Sequence, residues 1–116
     1  MAGNSAFNNG IPSLEYAVAV LEVPLILVLG HSGCGAVKAA MGTKPLKPPL
    51  EDLVQPIRSS LKSDDDPTQV IEGNGRYAAG QVTKPSAVLK QAKASGKVMI
   101  KSVFFDIKSG NITLLD

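Results

Sequence analysis

The stretch Leu25-Ile26-Leu27-Val28-Leu29-Gly30-His31-Ser32-Gly33-Cys34-Gly35-Ala36-Val37-Lys38 decides how this chain is read. Five apolar residues in a row, Leu25 to Leu29, suit a strand apolar on both faces, as in parallel sheet covered by helices. Gly30 to Gly35 read as a tight turn, and Ala36, Val37, Ala39 and Ala40 open a helix over about 35–42. The turn holds the only histidine and the only cysteine of the chain, His31 and Cys34. Any chemistry is expected at this junction of strand, turn and helix.

Outward from that junction, helices and strands alternate. Ser13 reads as the N-cap of a helix over about 14–22, with Leu14, Ala17, Val18 and Leu21 at helical spacing and Pro24 as its stop. Residues 1–12 read as loop, broken by Asn8-Asn9-Gly10 and Pro12. Three prolines keep 43–50 irregular. Leu50, Leu53, Val54, Ile57 and Leu61 mark a helix over about 50–62, bent or interrupted near Pro56. Ser63-Asp64-Asp65-Asp66-Pro67 reads as a solvated acidic turn; no spaced ligand pattern follows to make a calcium loop of it. Helices are expected over about 68–82 and 85–95, the second with Val88, Leu89 and Ala92 inward and Ser95-Gly96 as its cap. A strand over 98–106, a turn at Ser109-Gly110 and a last strand over Ile112–Leu115, its hairpin partner, complete the pattern. Phe7 and Tyr16 are read as core.

The totals bound the function. A chain of 116 residues is read as a single domain, 1–116, and can bury about two thirds of its unfolded surface. A net charge of +2, from scattered lysines, gives no footprint for nucleic acid or for an anionic membrane. One cysteine allows no internal disulfide, and no signal-peptide pattern or membrane-length apolar run is present, so a cytoplasmic protein is expected.

Several chemistries fail at the turn on residue identity. Gly30 and Gly35 have the separation of a phosphate-binding loop, but Ala36 stands where that loop needs lysine and Val37 where it needs serine or threonine. Cys34 takes the last glycine position of a nucleophile elbow. Ala40 stands where a cysteine phosphatase places its arginine. Two readings of His31 and Cys34 stay open on spacing alone. One is a buried thiol beside a hydrogen-bonded turn histidine. The other is metal ligation, since His and Cys three apart at a helix start can converge on one ion. That donor pair suits zinc, which takes imidazole nitrogen and thiolate sulfur at about 2.0–2.3 Å. A catalytic zinc needs three protein ligands, and this pair supplies two. Lys38 and Lys44 read as solvated charges, and Asp106 as a turn former more than a stray ligand. A redox or nucleophilic role for Cys34 lacks a resolving cysteine and a complete catalytic pair.

Leu29 to Val37 closely resembles the H-x-x-C zinc motif of the β-class carbonic anhydrases. Ala2-Gly3-Asn4, Ser13-Leu14-Glu15-Tyr16-Ala17, Phe105-Asp106-Ile107 and Ser109-Gly110 resemble further segments of that family in the same order. The resemblance implies an α/β fold of three layers, a small mainly parallel sheet flanked by helices. It implies zinc as cofactor, with His31 and Cys34 as metal ligands and Gly30, Ser32, Gly33 and Gly35 shaping the site. It implies reversible hydration of carbon dioxide to bicarbonate, with zinc supplying hydroxide at neutral pH.

The family's C-x-D-S-R segment, with its cysteine ligand, aspartate and arginine, has no counterpart in these 116 residues. The expectation is therefore a domain shortened at its N-terminus, lacking one central strand and holding an incomplete zinc site. An exposed edge on the 25–29 strand should pair with another copy, giving a homo-oligomer. The alternative function is a non-catalytic oligomeric scaffold, or a binder of small anions, derived from the same fold.

Overall fold

The computed structural model of the chain describes residues 10–62 and 66–115. The expectations for Phe7, for Ala2-Gly3-Asn4 and for most of the acidic turn fall outside those residues. The element order is α1 (Gly10–Ala19), β1 (Leu25–His31), α2 (Gly35–Met41), α3 (Leu50–Arg58), α4 (Pro67–Gln81), α5 (Ala87–Ala94), β2 (Met99–Phe105) and β3 (Ile112–Leu114).

The differences from the sequence reading are local and have local causes. Helix α1 begins at Gly10 rather than near residue 14. Pro12 lies in its first turn, where a missing N–H costs nothing, so this proline does not break the helix. The helix ends early, because Glu22 takes a left-handed φ of 54° and Val23 N–H reaches back to Ala17 O at 3.1 Å. Tyr16 and Leu21 are therefore exposed, not core, while Ile11 and Val18 face inward. Asp66 and Pro67 begin α4 rather than closing a turn. The Asp66 side chain accepts from Gln69 N–H at 2.9 Å, and Gln69 Oε1 accepts from Asp66 N–H at 2.8 Å, a reciprocal capping box. Helix α3 carries Pro56 within it and stops at Arg58. In α5, Ser86 caps the first turn by accepting from Leu89 N–H, and Leu89 is fully buried. Val88 points outward, against expectation.

The sheet has the order β1-β2-β3. Strands β1 and β2 are parallel in the register Leu25↔Met99 through His31↔Phe105, and β3 runs antiparallel to β2. The sheet is thus mixed, with one parallel and one antiparallel pair. Residues alternate along β1: Ile26, Val28 and Gly30 are buried, and Leu25, Leu27 and Leu29 are exposed. Ile26 and Val28 pack with Ile100 against Ile11, Val18, Ala78, Leu89 and Ala92 from α1, α4 and α5, and against Val82 just past the end of α4. A second cluster joins Val37, Ala40, Val54, Ile57, Val70 and Ile71 of α2, α3 and α4. Burying a side chain the size of Ile57 or Leu89 contributes about 1.5–3 kcal/mol.

Among the described residues, α1, α4 and α5 pack against one face of the sheet. The opposite face shows Leu25, Leu27, Leu29, Met99, Ile112 and Leu114 to solvent. An apolar run such as 25–29 reports that both faces want cover, and the described residues of one chain cover one of them. Strand β1 also has no neighbour on its outer edge among the described residues.

Helix α4 crosses β1 at Gly30, where an added Cβ would lie 2.9 Å from Ile71 Cγ2 and 3.3 Å from Ile71 O. Gly30→Ala is expected to destabilise the fold by about 1–3 kcal/mol in chemical denaturation, the usual cost of overpacking. At Gly35 an added Cβ meets nothing within 4 Å. Gly35→Ala should leave stability unchanged or raise it by up to about 1 kcal/mol.

Candidate metal centre

Because β1 and β2 are parallel, their carboxyl ends lie side by side, at His31 and Phe105. Ligands of open α/β sheets bind outside those ends. His31 is the last residue of β1 rather than part of the turn, so the turn proper is Ser32 to Cys34. His31 Nδ1 lies 3.0 Å from Ser32 O. A carbonyl oxygen can only accept, so in the neutral ring this contact puts the proton on Nδ1 and leaves the lone pair on Nε2. That is the tautomer of a histidine that ligates a metal through Nε2, with its other nitrogen held by a carbonyl.

Cys34 is the residue before α2, and its carbonyl accepts from Lys38 N–H at 3.0 Å. Its side chain makes no capping bond, its thiol is free, and it packs half-buried against the Val37–Ile71 cluster. Gly33 between them has φ +70°, the left-handed region that glycine enters without cost.

Ser32 ties this turn to the end of β2. Its N–H donates to Phe105 O at 3.0 Å, its Oγ donates to Asp106 Oδ1 at 3.2 Å, and Ile107 N–H donates to the same Oγ at 2.9 Å. Asp106 also accepts from Lys108 N–H at 3.1 Å and from Ser109 Oγ at 2.8 Å. Its carboxylate is thus engaged in closing the β2–β3 turn. The sequence pointed to Ser32 and to Asp106 separately but did not pair them. No local signal joins residues 74 positions apart; the parallel register does.

Among the described residues no three His, Cys, Asp or Glu side chains come together as a metal site. The His31–Cys34 pair matches zinc in donor chemistry and falls short of a catalytic set in number. Lys38 and Lys44 are both exposed.

These features have close counterparts. The carbonic anhydrase family profile matches residues 1–112. Carbonic anhydrase 2 of Mycobacterium tuberculosis is 34% identical over 99% of this chain and 60% of its own length. The carbonic anhydrase of Mycolicibacterium smegmatis is 32% identical over 97% of this chain and 59% of its own. Among solved structures, a tetrameric β-carbonic anhydrase from Sordaria macrospora superposes with a TM-score of 0.76 at 26% identity, covering 96% of this chain and 62% of that one. A β-carbonic anhydrase of Aspergillus fumigatus gives the same TM-score at 27% identity, covering 95% and 57%. The chain belongs to the carbonic anhydrase family, in its β class. It spans about 60% of the length of the curated relatives it matches. No helix among the described residues is long and apolar enough to cross a membrane.

The hydrogen bonds to Asp106, first that from Ser109 Oγ and then that from Lys108 N–H, hold its carboxyl below the ordinary aspartate value. A depressed folded-state pKa contributes stability that is complete above the unfolded value, about 3.9, and is lost as pH falls through the folded value. The stability difference between the wild type and Asp106→Ala should therefore be constant near neutrality and shrink below about pH 4. Urea denaturation across that range reads it; a difference independent of pH would contradict it.

Proposed function

We propose that this chain carries the His–Cys part of a β-carbonic-anhydrase zinc centre, with His31 and Cys34 as ligands and Gly30, Ser32, Gly33 and Gly35 shaping the turn that presents them. The observation that carries this reading is the His31 Nδ1–Ser32 O hydrogen bond, which leaves Nε2 for a metal at the carboxyl end of β1, three residues from Cys34. Family membership supports zinc as the metal and carbon dioxide and bicarbonate as substrate and product. Zinc, when bound, lowers the pKa of a coordinated water to about 7. The part of this chain is to bind and orient: His31 through Nε2, Cys34 through Sγ. Hydration activity requires a third ligand from beyond the described residues. In the pattern this chain resembles, the counterpart of that ligand lies in the C-x-D-S-R segment.

We further propose that the chain works as a homo-oligomer. The tetrameric state of the Sordaria relative supports this, as does the uncovered apolar face of Leu25, Leu27, Leu29, Met99, Ile112 and Leu114. That face also supports the second reading, an oligomeric scaffold without catalysis.

Metal binding separates the two. Titration with Co²⁺ should produce a thiolate-to-cobalt charge-transfer band that Cys34→Ser abolishes, and His31→Ala should weaken binding by roughly tenfold or more. A chain that binds neither Co²⁺ nor Zn²⁺ while remaining folded would leave the scaffold reading. In analytical ultracentrifugation the chain should sediment as an oligomer at micromolar concentration, and Leu27→Lys should shift it toward monomer.

A further inference from the structure

We propose that Ser32 and Asp106 act as positioning residues that set the tautomer of His31. The inference rests on the reading of His31 as a metal ligand for its consequence, though the tautomer itself is a property of the metal-free chain.

His31 Nδ1 lies 3.0 Å from the carbonyl of the very next residue, an acceptor for the ring proton of the neutral imidazole. Which nitrogen carries that proton depends on where the Ser32 carbonyl points. Two sets of contacts determine that direction. On one side, Ser32 is held at three points by the end of β2: N–H to Phe105 O, Oγ to Asp106 Oδ1, and Oγ from Ile107 N–H. Asp106 is in turn held by Lys108 N–H and Ser109 Oγ, so the anchor does not swing. On the other side, the peptide that contains the Ser32 oxygen ends at Gly33, whose φ of +70° sets the plane of that peptide. A residue with a Cβ disfavours this region by about 1–2 kcal/mol, which presses the peptide toward the flipped orientation. With the strut in place the carbonyl faces Nδ1. Without it, the turn is free to rotate that oxygen away, and an imidazole in water favours the proton on Nε2. That form has no lone pair where a metal needs one.

Two of the Asp106 contacts close the β2–β3 turn, and the third, from Ser32 Oγ, ties that turn to the residue whose carbonyl lies against His31 Nδ1.

The chain has one histidine, so its imidazole nitrogens can be read without overlap. Long-range ¹H–¹⁵N spectra of the uniformly ¹⁵N-labelled chain, treated with chelator and recorded where the ring is neutral, report the tautomer directly. The wild type should show the Nδ1–H form. Ser32→Ala and Asp106→Ala should make the Nε2–H form the majority, while Ser32→Thr, which keeps the hydroxyl, should retain the wild-type pattern. The backbone amides of Ile57 and Leu89, in the two cores, report that each variant is folded. Should either alanine variant unfold, Ser109→Ala, which removes one of the Asp106 bonds, must still raise the Nε2–H fraction. Folded variants that keep the Nδ1–H form, or a wild type already in the Nε2–H form, overturn the proposal. Addition of Zn²⁺ afterwards separates the two readings. If His31 signals respond to Ser32→Ala but not to Zn²⁺, the strut stands and the metal assignment falls. If both stand, Ser32→Ala should weaken Zn²⁺ binding about 10–100-fold.

Discussion

The parallel pairing of β1 with β2 is the constraint on which the rest depends. Its register puts His31 beside Phe105, and one residue further on it puts Ser32 against Asp106. A slip of one residue would send the apolar side chains of β1 to the other face and separate these two groups. The same register lets α4 lie across β1 at Gly30, where only a glycine leaves room for Ile71. Helix packing, turn geometry and the orientation of the one histidine thus follow from one strand pair.

The strand pair also leaves an imbalance. Its helix-covered face is packed with Ile26, Val28 and Ile100, while the other exposes leucines and a methionine. The hydrophobic effect is not directional, and it favours removal of that second face from water by whatever surface fits. The open edge of β1 offers unpaired backbone groups beside it. The face and the edge both run along β1 to its end at His31, so a partner covering that end would lie beside the candidate metal centre.

How much of this was legible in the sequence depended on the range of the signal. The run 25–29 and the glycines after it marked the strand and turn, and the α/β class and family followed from residues 29–37. Ser95-Gly96 marks the end of α5 in the sequence, whereas the Asp66-Pro67-Thr68-Gln69 capping box is masked by the acidic run before it, which reads as a turn. Pro12 and Glu22 misplaced the ends of α1, since a proline in a first turn and a left-handed glutamate leave no mark in a periodicity. An apolar strand shows that both faces seek cover without showing whether one chain provides it. The Ser32–Asp106 contact was hidden because it joins two loops through a strand register that no local pattern encodes. His31 and Cys34 as candidate ligands, by contrast, needed only their identities and spacing.

Whether His31 and Cys34 together hold zinc is read by X-ray absorption at the zinc edge of the zinc-loaded chain. The first shell should contain at least one sulfur at about 2.3 Å and one imidazole nitrogen at about 2.0–2.1 Å. The sulfur should vanish in Cys34→Ser. A shell made only of oxygen and nitrogen in the wild type would contradict joint ligation.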